Sequence, residues 1–143
     1  MSRQDVAFMY ILYYKAENIY LRWTDAQTKE YKKDEPNCSN KRPEGCITLK
    51  TYVKINLGFI KVKEEKYRNN KTKLNNDLYK LGVFSKNAID QNHLHGVLDV
   101  QIVDESIFFY LIQQRCKEFY TMTEIDHLNV PKRLNRASLV YWI

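Results

Sequence analysis

Glycine and proline are scarce in this chain of 143 residues, 4 and 3 in number, which excludes a linker-rich or disordered polypeptide. Cysteine is scarce too. Cys38, Cys46 and Cys116 are odd in number and only the first two lie close together, so the chain has no disulfide framework and fits a reducing compartment. The apolar run at residues 6 to 14 is too short to span a bilayer and lacks a small-residue cleavage site. Neither a membrane segment nor a signal peptide is indicated, and an intracellular protein is expected. No internal repeat or low-complexity tract is present, and the length leaves no room for a separate helicase or ATPase module.

What remains is ordinary for one soluble domain over residues 1–143: 44% hydrophobic and 28% charged residues. The charge is lopsided. A formal net charge of +6 and a pI of about 9.1 favour a polyanionic partner, nucleic acid first among them.

Val6 to Tyr14 and Asn18 to Trp23 are dense in aromatic and β-favouring types, which predicts two strands joined through Lys15 to Asn18. One long helix is the rival reading, because Ser2 and Asp5 have the spacing of a capping box. Residues 31 to 46 collect polar and turn-forming types and read as a loop. Ile47, Leu49, Val53, Ile55 and Leu57 share one parity, with Thr48, Lys50, Lys54 and Asn56 on the other, the pattern of a half-buried strand. A lysine-rich stretch from Lys61 to Lys73 leads into Leu74, Leu78 and Leu81 at helical spacing, with Gly82 as C-cap and Val83-Phe84 opening another strand. Phe108, Leu111, Ile112, Cys116 and Phe119 make one stripe of an amphipathic helix that starts near Ser106, with Asp104 and Glu105 favourable at its first turn. The sum is an α+β fold with a central, mainly antiparallel sheet packed with helices.

Chemistry is suggested at one place, His93-Leu-His95-Gly-Val-Leu-Asp-Val100. On a strand beginning at His93, residues His93, His95, Val97 and Asp99 point one way and Leu94, Leu98, Val100 and Ile102 the other. Two imidazoles two residues apart can then share a divalent ion, with Asp99 or Asp90 adding oxygen. The bland reading of the same pair is two exposed imidazoles at a strand end. His127 reads as a surface residue.

The stretch Asn92 to Val100 resembles the metal-binding motif of the HUH endonucleases, the rolling-circle replication initiators, in which two histidines flank a hydrophobic residue on a central strand. The order of the downstream elements is similar as well: a helix near Ser106 to Phe119, a strand near Thr123 to Asp126, and a helix over Asn135 to Ile143 in which Tyr141 stands where the family has its nucleophile. The family's lysine, three positions beyond that tyrosine, would be residue 144, so the resemblance implies an N-terminal nickase domain of a longer chain. The likeness covers roughly residues 80 to 143, and the family's first motif has no match at Phe8 to Tyr14 or at Thr51 to Leu57.

The resemblance implies a transesterification on single-stranded DNA, or on a DNA hairpin at a replication origin. A manganese or magnesium ion on His93 and His95 would polarise the scissile phosphate, and Tyr141 would form a covalent 5′-phosphotyrosine and free a 3′-hydroxyl. Tyr120 is the rival nucleophile. Lys61, Lys63, Arg68, Lys71, Lys132, Arg133 and Arg136 are the candidate phosphate contacts, with tyrosines free to stack unpaired bases. An oligomer, and a cytoplasmic location or the host nucleus for a eukaryotic virus, go with that reading. A non-enzymatic nucleic-acid-binding or viral or regulatory interaction module explains the charge and tyrosines equally, and a water-using metal hydrolase keeps the histidines but drops the tyrosine.

Overall fold

The computed structural model describes residues 18–23 and 43–130. Six strands form one sheet in sequence order: β1 (Ile19–Trp23), β2 (Gly45–Lys50), β3 (Lys54–Lys63), β4 (Gly96–Val103), β5 (Ser106–Cys116) and β6 (Phe119–Asn129). Every neighbouring pair is antiparallel except β3 and β4, which are parallel from Ile60↔Val100 to Lys63↔Val103. A parallel pair cannot be closed by a tight turn, and the crossover is supplied by a single helix, α1 (Lys71–Asn92), after a short 3-10 turn at Glu65–Tyr67. The α+β class with a mainly antiparallel sheet is therefore what the chain adopts, with one helix among the described residues.

The sheet buries both faces. On the helix side Cys46, Phe59, Val97 and Ile112 pack against Leu81, Phe84, Ala88 and Ile89 of α1, with the rings of Phe59 and Phe84 5.5 Å apart and tilted. On the other side Leu21, Ile47, Ile60, Val100, Ile102, Ile107 and Phe109 form a second apolar cluster. Gly58 lets β3 approach β4, since a Cβ there would collide with the carbonyl oxygen of Leu98. It sits beside a bulge, where the register steps from Ile47↔Gly58 to Thr48↔Asn56 and leaves Leu57 as the extra residue.

Several elements differ from the sequence expectation. The second strand of the expected N-terminal hairpin is β1, whereas Val6 to Tyr14 lies outside the described residues, as do 31–42 of the expected loop. Gly45 and Cys46, placed in that loop, open β2 instead. The alternation from Ile47 to Leu57 is two strands, not one. The chain turns at Thr51-Tyr52-Val53, so Val53 is exposed rather than half-buried.

Gly82 does not cap α1. The apolar stripe continues through Phe84, Ala88 and Ile89, and this burial outweighs the roughly 1 kcal/mol cost of glycine in a helix, so Val83 and Phe84 are helical. The helix stops at His93, which adopts the left-handed conformation at φ 52° and ψ 43°. Finally, 106–119 is the strand β5 and its turn into β6, not a helix; the expected strand near Thr123 to Asp126 lies within β6.

This topology gives the sheet two ends. The N-terminus of α1 follows Lys63 and lies at the end where β3 and β4 finish. Its C-terminus, with His93 and His95, lies at the other end, shared with the β2–β3 hairpin tip and, through the pairing Gly96↔Gln113, with the β5–β6 turn.

Candidate nucleic-acid interface

At the histidine end, His93 and His95 sit on the connector between α1 and β4, both exposed, rather than on the strand itself, which begins at Gly96. His93 works as a helix stop. The backbone N–H groups of His93 and Leu94 both donate to the carbonyl of Ile89, and Leu94 folds back onto the helix-side core, the hydrophobic contact that accompanies such caps.

The face expected to carry the ion is not a polar one, since Val97 and Asp99 are both buried. Asp99 is fully enclosed, accepting hydrogen bonds from the Phe59 backbone N–H at 3.1 Å and the Ser85 hydroxyl at 2.5 Å. Loss of solvation raises its pKa from 3.8 to about 8, against the opposing pull of those two donors.

The other expected oxygen donor, Asp90, is also engaged. It accepts a hydrogen bond from the Tyr120 hydroxyl and pairs with Lys86 at 3.2 Å. Among the described residues no group of three or more His, Cys, Asp or Glu side chains is placed to hold a metal ion. Among the described residues, the two carboxylates expected to complete a manganese or magnesium site with His93 and His95 are therefore both engaged elsewhere.

Tyr120 reaches this end from the start of β6. Its hydroxyl donates to Asp90 and receives Gln114 Nε2 at 3.3 Å, while Lys86 Nζ lies 5.5 Å from its ring centre. The Asp90 carboxylate, by accepting that hydrogen bond, favours the neutral phenol and pushes its pKa up to about 12. Tyr141, the expected nucleophile, lies outside the described residues, as do Lys132, Arg133 and Arg136.

At the helix-start end the ring of Tyr67 is surrounded by ammonium groups: Lys73 Nζ at 4.0 Å from its centre, Lys66 at 5.0 Å and Lys63 at 5.8 Å. Lys63 is also held by the buried Asp77 at 3.2 Å, Lys66 pairs with Glu64 at 3.0 Å, and Arg68 lies 3.9 Å from Asp104. The Glu64 hydrogen bond raises the pKa of Lys66. Lys71 and Lys73 are exposed on the first turn of α1, which contains no acidic residue; Asn70 caps it by accepting from the Lys73 N–H at 3.1 Å.

Of the lysines and arginines nominated from sequence, Lys61 is removed from this surface. It is buried and paired with Glu44 at 3.1 Å, which its place on an inward-facing stretch of β3 requires. Lys63, Arg68 and Lys71 do gather at one end. Lys73 and Tyr67 were not singled out; the signal was their spacing, which brings a ring at the end of a 3-10 turn against the first turn of the following helix.

The fold and these two ends define an α+β domain with basic and aromatic side chains grouped where the strands finish. Comparison of the chain with protein-family models, curated proteins and solved structures finds no match.

Proposed function

We propose that this domain binds single-stranded nucleic acid. The observation that carries the reading is the Tyr67 cluster: an aromatic ring with three ammonium groups within 5.8 Å, beside a helix whose first turn holds no acidic residue. Lys63 and Lys66 are paired with Asp77 and Glu64, which leaves the exposed Lys71 and Lys73 as the cations offered to an anion. Phosphates meet Lys71, Lys73 and the α1 N-terminus, while Tyr67 offers a face to a base. The net charge of +6 acts in the same direction at longer range.

Fluorescence anisotropy with a labelled oligo-dT across a salt series tests this. Lys71→Ala combined with Lys73→Ala is expected to weaken binding and to reduce the salt slope by about 1 to 2, because fewer neutralised phosphates means fewer counterions released on binding. Equal slopes in wild type and variant would remove the helix-start end from the interface.

A second reading, nicking of the bound strand, is favoured by one observation: a tyrosine hydroxyl hydrogen-bonded to a carboxylate at the same end of the sheet as His93 and His95. In that chemistry a tyrosine oxygen attacks phosphorus, the bond to the 3′-oxygen breaks, and a 5′-phosphotyrosine and a 3′-hydroxyl result. Asp90 is the proton acceptor if Tyr120 attacks; Tyr141 remains the nucleophile that the family resemblance implies. Intact mass spectrometry after incubation with oligonucleotides and manganese or magnesium separates them: an adduct lost in Tyr141→Phe but kept in Tyr120→Phe assigns Tyr141, and the reverse assigns Tyr120. No adduct in wild type leaves binding as the function and rejects nicking.

A further inference from the structure

We infer that the tip of the β2–β3 hairpin is a second contact for a single-stranded nucleic acid, in which Lys50 and Lys54 grip one phosphate and Tyr52 stacks on a base. The inference rests on the nucleic-acid reading above but on a different part of the molecule.

Lys50 and Lys54 are directly opposed across the antiparallel pair, so their side chains leave the same face of the hairpin with Cβ atoms about 5 Å apart. That face is the helix side, because Cys46 and Thr48, of the same parity as Lys50, point there. Thr48 bonds Asn56 at 2.9 Å, and Cys46 joins the cluster under α1. Like charges in this position destabilise a hairpin, and both lysines are exposed, with no carboxylate paired to either among the described residues. A bound phosphate turns that repulsion into attraction.

Between them the chain reverses through Thr51-Tyr52-Val53, braced by the Thr51 N–H and hydroxyl, both donating to the Val53 carbonyl at 3.2 Å. Tyr52 is fully exposed at 107% of its reference area, and Val53 is 59% exposed. An aromatic ring held wholly in water on a braced turn contributes nothing to the core, and its hydroxyl bonds to no described group. An exposed ring on the turn between two opposed lysines supplies the two elements that single-strand binding combines, a stacking face and cations for phosphate.

The tip is also well placed. It shares its end of the sheet with the exposed His93 and His95 and with Arg115 and Lys117, which flank the β5–β6 turn two strand positions, about 10 Å, from β3. It lies about 30 Å along β3 from the Tyr67 cluster, so the two contacts are independent in substitution.

The test uses the full chain, fluorescein-labelled oligo-dT, the same oligonucleotide with abasic sites, and vesicles of phosphatidylcholine and phosphatidylserine. Tyr52→Phe is expected to bind oligo-dT as wild type does. Tyr52→Leu is expected to weaken it by about 5- to 100-fold, the range for loss of one stacked base, and to abolish the preference for oligo-dT over the abasic strand. Lys50→Gln with Lys54→Gln is expected to weaken both strands equally. Because Tyr52 touches no core residue, thermal melting should be the same for wild type and both Tyr52 variants, and no lower for the lysine variant, which loses a like-charge pair; this separates a binding defect from unfolding.

If Tyr52→Leu binds as tightly as wild type while the Lys71 and Lys73 variant is impaired, the tip inference is overturned and the helix-start interface stands. If wild type binds no oligonucleotide, both fall. Vesicle binding that survives Tyr52→Leu, with no oligonucleotide effect, makes the tip a membrane contact and overturns the proposal.

Discussion

Asp99→Asn is expected to flatten the pH dependence of this protein's stability. In the folded state the Asp99 carboxyl is enclosed between α1 and β3 and holds its proton up to about pH 8, whereas in the unfolded chain it releases it near 3.8. The folded value is the higher one, so between these limits the folded protein binds a proton that the unfolded chain has lost. The contribution of Asp99 to stability is therefore fullest below about pH 4, falls as pH rises through the window, and levels off above about pH 8. The gap corresponds to roughly 6 kcal/mol, a large share of the 5–15 kcal/mol typical of a domain.

Asparagine stays neutral throughout, keeps an acceptor for the Phe59 N–H, and can donate its amide to the Ser85 hydroxyl oxygen. Urea unfolding at pH 5, 7 and 9 should show wild type losing stability across the series and Asp99→Asn nearly constant. The same slope in both proteins would mean that Asp99 is ionised in the fold.

Gly58→Ala is expected to produce the largest loss from a single added methyl group. The new Cβ would stand 2.9 Å from Ile47 Cδ1 and 3.1 Å from the Leu98 carbonyl carbon, and would collide with the oxygen that carbon bears. Neither β3 nor β4 can retreat, because each is packed on both faces. The destabilisation should reach or exceed the roughly 3 kcal/mol upper end of ordinary overpacking. Gly82→Ala is the control: a Cβ there meets nothing within 4 Å, and the same change is expected to add up to about 1 kcal/mol. If urea midpoints show Gly58→Ala as stable as wild type, the close approach of the two parallel strands is wrong.

The two glycines also show why parts of the fold were legible in the sequence and parts were not. Alternation identifies strands that have one wet face, and it located the residues of β2 and β3, while aromatic and β-favouring composition located β1. It did not reveal the turn at Thr51 to Val53, because the parity of Ile47 and Leu49 resumes at Ile55 with no glycine, proline or asparagine between.

β5 fails for the opposite reason. Ile107 and Phe109 face one core and Ile112 the other, so period two is erased and five apolar residues fall by chance at helical spacing. The unbroken β-favouring run from Ile107 to Ile112 was the better signal. The turn before it, Asp104-Glu105, has the acidic composition of a helix start, yet Asp104 stands at φ 54° and closes the two-residue link between Val103 and Ser106.

At the candidate site, sequence nominated Lys63, Arg68 and Lys71, which the fold places at one end of the sheet, but could not see Lys50 and Lys54 as partners, since their meeting depends on the unseen turn. The strand expected from His93 failed for a related reason: the parity argument needed a strand to begin there, and the helix ends at that residue instead, with the strand starting at Gly96.

The strand order has a consequence for how the chain reaches this state. The pairs β2–β3, β4–β5 and β5–β6 are joined by links of two or three residues and can each close as a hairpin within microseconds. The parallel seam between β3 and β4 cannot. It needs Lys63 and Gly96 to be carried past each other by the 22-residue helix before four residue pairs can align. The β2–β3 hairpin and the β4–β5–β6 meander are therefore early, separable products, and the passage of α1 across the sheet is the step that makes them one molecule.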